Sequence, residues 1–251
     1  MDSPIELPDG RLACGRHGLP VCGSCCVDYT FMDDELPDSA GELNMLSNQG
    51  GSVVHDHDRP GPGYFRRIDP RTRLPVQICP AISRALPGEL STAGLGRRAS
   101  PHVYRFIRRN NLDEFLIFAD GVCLENGGSN PRAGWAIYFK PVTDRDSGIV
   151  SGRLGKFGPW GDYHEQTNNR AELRAVLAAL RFRYWPGEGF TKLVIATDSE
   201  YVVKGATEWV SGWLWNGWRT SNRGAVKNRD LWEALLGEFE RLGELGLKVE
   251  F

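Results

Sequence analysis

The sequence predicts an α/β domain over residues 112–251, preceded by a long stretch with little core of its own. Three features point to this. Short apolar runs rich in aromatic and β-branched residues (EFLIFADG, GWAIYFKP and GIVSGRLGKFG) are each bounded by Gly, Pro or Asn clusters and read as strands. The block NNRAELRAVLAALRFRYW places Leu173, Val176, Leu177, Leu180 and Tyr184 on one helical face. Between helical blocks, TKLVIATD is a continuous apolar run of strand length, as in a central strand covered on both faces.

The elements follow in chain order. Residues 1–36 hold four of the six cysteines, Cys14, Cys22, Cys25 and Cys26. CGRHGLPVCGSCC spaces Cys14, His17, Cys22 and Cys25 as ligands of one tetrahedral Zn²⁺, with an unmetallated cysteine cluster as the other reading. Residues 37–100 show neither helical nor alternating apolar patterning, and eleven of the fifteen prolines fall before residue 111, so residues 37–111 read as a weakly ordered Pro/Gly/Arg-rich linker. The three strand-like runs then suggest an antiparallel meander, followed by the helix and TKLVIATD. A helix- and Trp-rich stretch comes next. DLWEALLGEFERLGEL puts Trp232, Leu235, Leu236, Phe239 and Leu242 on one face, Gly246 stops that helix, and LKVEF alternates Leu247, Val249 and Phe251 as a last strand.

Thirty basic against thirty-two acidic side chains give a net charge of -2, so a nucleic-acid partner would need a local patch. No apolar run reaches membrane-spanning length, and the acidic, Pro-containing N-terminus is neither a secretory nor a transit peptide; the expected location is nuclear or cytoplasmic.

Three carboxylates stand where a purely structural design would avoid them. Asp120 follows FLIFA, Asp198 ends LVIAT, and Glu172 lies at the edge of the core-facing helical stripe. If the two runs are adjacent strands and the helix packs on them, the three converge at one end of the sheet. Neighbouring anions raise each other's pKa unless a cation sits between them, and hard oxygen ligands suit Mg²⁺ or Mn²⁺. Each residue also has a local reading: Asp120-Gly121 as a turn, Asp198 as a turn or helix cap, and Asn169-x-x-Glu172 as a capping box.

FADGVCLENGGSNPRAGWA, TNNRAEL, IATDSEYVV and EWVSGWLWNGWRTSNRGAVKNRDLW, in this order and spacing, resemble the type 1 ribonuclease H family. The resemblance covers residues 112–251. It implies a ribonuclease H-like fold, a mixed five-stranded sheet flanked by helices, that cuts the RNA strand of an RNA/DNA hybrid with two divalent metals and no small-molecule cofactor. Asp120, Glu172 and Asp198 match three of the family's four metal-binding carboxylates. Asn130, Thr167, Asn168 and Asn169 match positions that touch the hybrid. Trp209, in a segment resembling the family's protruding handle, matches a DNA-strand contact, and Thr220, Ser221 and Asn228 lie where a phosphate of that strand is held. Trp213 and Trp232 read as core. The Cys-rich leader resembles one seen in filamentous fungi.

The sequence also departs from the family pattern. The handle has fewer lysines than usual, and Glu165 stands near the phosphate pocket where some members place a cation, which implies modest affinity for the hybrid. The family's fourth carboxylate opens a helix beyond the fifth strand, whereas this sequence stops at Phe251 without that helix. The resemblance therefore leaves two further readings: a catalytically impaired nucleic-acid-binding remnant of the fold, or a retroelement-derived ribonuclease H domain.

Overall fold

The computed structural model describes residues 4–8, 11–22, 27–29, 74–75, 85–143 and 147–251. Near the N-terminus, β1 (Pro4–Glu6) pairs antiparallel with β2 (Leu12–Cys14), and β3 (Val21–Cys22) with β4 (Val27–Asp28). After a short α1 (Pro87–Leu90), β5 (Ser91–Gly96) and β6 (Val103–Arg108) form an antiparallel hairpin. The meander follows as β7 (Asn111–Leu124), β8 (Arg132–Tyr138) and β9 (Ile149–Arg153), antiparallel throughout. Then come α2 (Asn168–Arg181), β10 (Lys192–Ala196), α3 (Glu200–Lys204), a π-helical turn Gly205–Trp209, α4 (Val210–Trp215), α5 (Arg229–Glu244) and β11 (Lys248–Glu250).

The sheet is mixed and centred on β7, with helices packed against it, as the fold class requires. β10 lies parallel to β7, and β11 parallel to β10. Leu116 pairs with both Val194 and Phe106, and Phe118 with both Ala196 and Tyr138, so β6 and β8 follow one another along the edge of β7 opposite β10. The sheet therefore has seven strands among the described residues, not five.

The two extra strands, β5 and β6, come from a stretch whose composition reads as linker. In VYRFIR the inward positions are Arg105 and Ile107, so a buried arginine hides the period-2 pattern. Arg105 is 1% exposed, reaches Glu188 at 2.8 and 2.5 Å, and lies over the Phe139 and Trp185 rings. This doubly bonded pair compensates the buried charge and ties the hairpin to the main domain.

α2 lies between the sheet and α5 and buries every residue from Arg170 to Leu180. Its cap is Thr167, whose Oγ1 accepts from the Arg170 N–H, and not Asn169. The helix ends at Arg181, which leaves Tyr184 51% exposed and outside the apolar stripe expected to include it. β10 is not covered equally on both faces: Leu193 and Ile195 are buried, while Lys192, Val194 and Ala196 are half-buried. In α5 all five stripe residues are buried, as are Leu247, Val249 and Phe251 after it. Gly246 takes φ +83, and the Leu247 N–H returns to the Leu242 carbonyl at 2.9 Å, closing the helix as a Schellman turn does. Among the described residues no helix is long and apolar enough to cross a membrane.

One buried ion pair fixes the start of α2 against α5. Arg170 reaches Asp230 with two N–H groups at 2.9 and 2.7 Å, both residues being buried. Removing one partner strands the other charge away from water. Asp230→Ala is therefore expected to lower unfolding stability by about 3 kcal/mol, read as a shift in urea midpoint at unchanged slope.

Candidate metal centre

The topology brings the three carboxylates together. Ala196, the last residue of β10, pairs with Phe118, so Asp120 lies two residues further along β7 and Asp198 two residues past the end of the neighbouring parallel strand. Glu172 arrives from the first turns of α2. The helix can come this close because β7 has glycine at position 121, where a Cβ would lie 2.2 Å from the Ala171 carbonyl carbon and 2.3 Å from the Glu172 nitrogen. One carboxylate oxygen from each of Asp120, Glu172 and Asp198 lies within 4.8 Å of the others.

Of the local readings, the turn at Asp198 holds, since this residue lies in the bend between β10 and α3, and the others do not. Asp120 sits inside β7, not in a turn. The cap of α3 is Ser199, whose hydroxyl accepts from the Val202 N–H, so Asp198 caps nothing there. With Thr167 as cap, Glu172 is the fifth residue of α2 and outside any capping box.

Asp120 and Asp198 are exposed, whereas Glu172 is only 5% exposed. Burial first, and then the negative charges of Asp120 and Asp198, push the Glu172 carboxyl up to about 7. Hydrogen bonds from the Gly121 N–H and the Thr197 hydroxyl act in the opposite direction and hold the side chain in place. Thr197 is itself fixed, since its Oγ1 accepts from the Ser199 N–H at 3.2 Å. The remaining oxygen of Glu172, Oε2, is buried without a hydrogen-bond partner. A buried, unpartnered oxygen beside two further carboxylates is what a hard divalent cation satisfies, so the residues present fit such an ion.

The other residues singled out in the sequence are spread around this end of the sheet and along the handle. Asn130 is exposed in the loop between β7 and β8, and Asn169 is exposed on the first turn of α2. The Asn168 side chain accepts from the Cys123 N–H at 3.1 Å, and the Asn168 backbone N–H donates to Asn126 Oδ1 at 3.2 Å, joining α2 to the end of β7. Asn228, in the left-handed region at φ 58, accepts from Arg170 at 3.4 Å, so Arg170 links it to the Thr167–Asn169 corner. Thr220 is bonded within its own turn through Gly224, and Ser221 beside it is exposed.

Within the Trp-rich segment, Trp213 packs edge-on against the fully buried Trp232, and Arg229 covers the Trp218 ring. Trp209 and Trp215 are 38% and 66% exposed. The side-chain pattern alone did not single out Gly121, Thr197, Gln166 or Tyr201. Gln166 accepts from the Ala133 N–H at 2.9 Å and bonds the Leu154 carbonyl, fixing the chain just before Thr167. Tyr201 accepts from Asn228 and Trp232 at 3.3 and 3.1 Å.

At the N-terminus, Cys14, His17 and Cys22 also bring one ligand atom each within 4.8 Å of one another. Cys25, the expected fourth member of this group, lies outside the described residues.

A family model described as RNase H matches residues 113–243. A ribonuclease H of Treponema pallidum subsp. pallidum is 40% identical over 121 residues, which span 47% of this chain and 69% of that protein. A ribonuclease H of Janthinobacterium sp. (strain Marseille) is 40% identical over 124 residues, 49% of this chain and 74% of the other. The likeness to solved structures is weaker: the solution structure of the PFV RNase H domain is 20% identical with a TM-score of 0.37, over 54% of this chain and 76% of that one.

Proposed function

This chain belongs to the ribonuclease H family, and we propose that it hydrolyses the RNA strand of RNA/DNA hybrids with divalent cations held by Asp120, Glu172 and Asp198. That it is a ribonuclease H enzyme follows from the family. The substrate and metal are the proposal, and the observation that carries it is the buried, unpartnered Glu172 Oε2 set between two exposed carboxylates. Oxygen-only ligation favours Mg²⁺ or Mn²⁺. When bound, two such ions would activate a water and offset charge on the leaving 3′ oxygen.

The chain's own contribution is positional. Gly121 and Thr197 fix Glu172 from β7 and from the end of β10, so that Oε2 is the oxygen presented. The exposure of Asp120 and Asp198 leaves room for a phosphodiester to approach. Water is the nucleophile in this scheme, so no side chain needs to attack.

The hybrid would be read from the surrounding loops. Asn130, Asn168 and Asn169 supply short amide groups for the wide minor groove with its 2′-hydroxyls. Thr167 accepts from Arg170, and a hydroxyl that accepts keeps a donor to offer. Trp209 and the still more exposed Trp215 present ring faces for sugars or bases of the DNA strand, while Thr220, Ser221 and Asn228 would take a phosphate.

The test is cleavage of an end-labelled RNA/DNA hybrid by the 251-residue chain in Mg²⁺ and in Mn²⁺. Asp120→Asn serves as the inactive control, with chelated and duplex-DNA reactions alongside. Metal-dependent cuts confined to the RNA strand are expected, with removal of the metal lowering the rate about 10³-fold or more. Cutting that persists in chelator or in Asp120→Asn would overturn the metal-centre reading. Binding of the hybrid without cutting in either ion would identify the chain as a hybrid-binding remnant.

A further inference from the structure

We propose that Cys14, His17 and Cys22 form a zinc site that clamps the N-terminal segment onto the C-terminal end of α2, remote from the carboxylates. Cys14 Sγ and Cys22 Sγ lie 3.6 and 3.3 Å from the same nitrogen, His17 Nδ1. One imidazole nitrogen has either a single N–H or a single in-plane lone pair, so hydrogen bonding accounts for one of these approaches and not for both. Ligation of a common cation accounts for both. Tetrahedral zinc with ordinary Zn–S and Zn–N bonds places sulfur and nitrogen about 3.6 Å apart.

The backbone is arranged for the same purpose. The His17 and Gly18 N–H groups both turn back to the Cys14 carbonyl, at 3.2 and 2.6 Å, and the Cys14 N–H reaches the Leu19 carbonyl at 2.9 Å. Gly18 takes φ +67, a conformation that favours glycine, and lets the chain reverse just after His17, on the way to Cys22. β3 then returns Cys22 to the group. Neither cysteine forms a disulfide, and both are buried. Two thiolates and an imidazole form a soft donor set that selects zinc over the hard cation proposed for the carboxylates. A fourth ligand completes the tetrahedron.

The position of the site indicates its role. Cys14 and Cys22 join the same apolar cluster as Tyr29 and Phe182, and the Tyr29 and Phe182 rings lie 5.8 Å apart. Phe182 is the C-cap of α2, ten residues and therefore about 15 Å along the helix from Glu172. The paired strands of this segment are two or three residues long and too short to hold themselves, so a bound ion supplies the fixation that a small segment lacks.

The test measures metal content by mass spectrometry on the full chain purified with zinc and desalted without chelator. About one zinc per chain is expected in the wild type and in Asp120→Asn, and none in Cys22→Ser or His17→Ala. Because His17 is exposed, His17→Ala keeps the test valid if a cysteine variant fails to fold. Replacement by Co²⁺ should give the visible bands of a tetrahedral thiolate site. Iodoacetamide should label Cys14 and Cys22 only after the metal is removed. A wild type without zinc, zinc in His17→Ala and Cys22→Ser equal to that of the wild type, or a Cys14–Cys22 disulfide in the purified chain would each overturn the proposal.

Discussion

Glu172→Gln is expected to make the metal-free protein more stable above pH 7 while lowering hybrid cleavage by about 10³-fold, equivalent to about 4 kcal/mol of barrier. The stabilisation follows from the position of the carboxyl. Its value stands near 7 in the folded chain against an ordinary 4.5, so between those pH values the folded state holds a proton that the unfolded state has released. Where the folded state binds more protons, stability falls as pH rises. The wild type without metal should therefore lose up to about 3 kcal/mol through this one group between pH 4.5 and 7, and remain at the lower level above that. Glutamine has the same shape, can still accept from Gly121 and Thr197, and carries no charge to be repelled by Asp120 and Asp198. Thermal melts in chelator should show the two proteins diverging as pH rises and nearly coinciding at pH 5. Adding Mg²⁺ should stabilise the wild type more at pH 8 than at pH 5, and Glu172→Gln much less at either. Superimposable melting profiles from pH 5 to 8 would show that the crowding of the three carboxylates carries no energetic cost.

The sequence revealed the carboxylate cluster more readily than its supports. Asp120, Glu172 and Asp198 stood out because charge at the end of an apolar run, or beside a core stripe, conflicts with the local pattern. Arg105 and Arg170 did not stand out. A buried arginine scores as polar in any periodicity, and only the fold shows that Glu188 and Asp230, 83 and 60 residues further on, compensate them. For that reason β6 was hidden in a stretch that reads as linker. The cap of α2 was misplaced by two residues because Thr167, Asn168 and Asn169 are all good caps, and the choice among them depends on Asn168 being used to hold the end of β7. Tyr184 fitted the helical stripe by spacing alone, but the helix had already ended. The grouping of Cys14, His17 and Cys22 was legible from spacing, although not its place beside the end of α2.

Gly121 is the least conspicuous residue of the site, and its replacement is expected to be the most damaging to the fold. The dipeptide Asp120-Gly121 invites a turn, yet the glycine lies within a strand, paired with Trp135 on β8. A methyl group there would fall 2.2, 2.3 and 2.5 Å from the carbonyl carbon of Ala171, the nitrogen of Glu172 and the carbonyl oxygen of Ala171. All three are backbone atoms of α2, so no rotamer change relieves the overlap. Either the helix or the strand has to move by more than an ångström. That movement would break the Gly121 N–H bond to Glu172 and disturb the Arg170–Asp230 pair two residues away. Overpacking against side chains costs about 1–3 kcal/mol, and with rigid backbone on both sides the cost of Gly121→Ala should exceed about 4 kcal/mol. Urea unfolding would measure it, and amide exchange would place the damage, with protection lost first over the opening turns of α2. Cleavage should be lost at temperatures where the variant still melts cooperatively, because Glu172 no longer meets Asp120 and Asp198. A Gly121→Ala protein with wild-type stability and activity would mean that α2 approaches β7 less closely than this geometry requires, and would remove the basis for placing Glu172 in the centre.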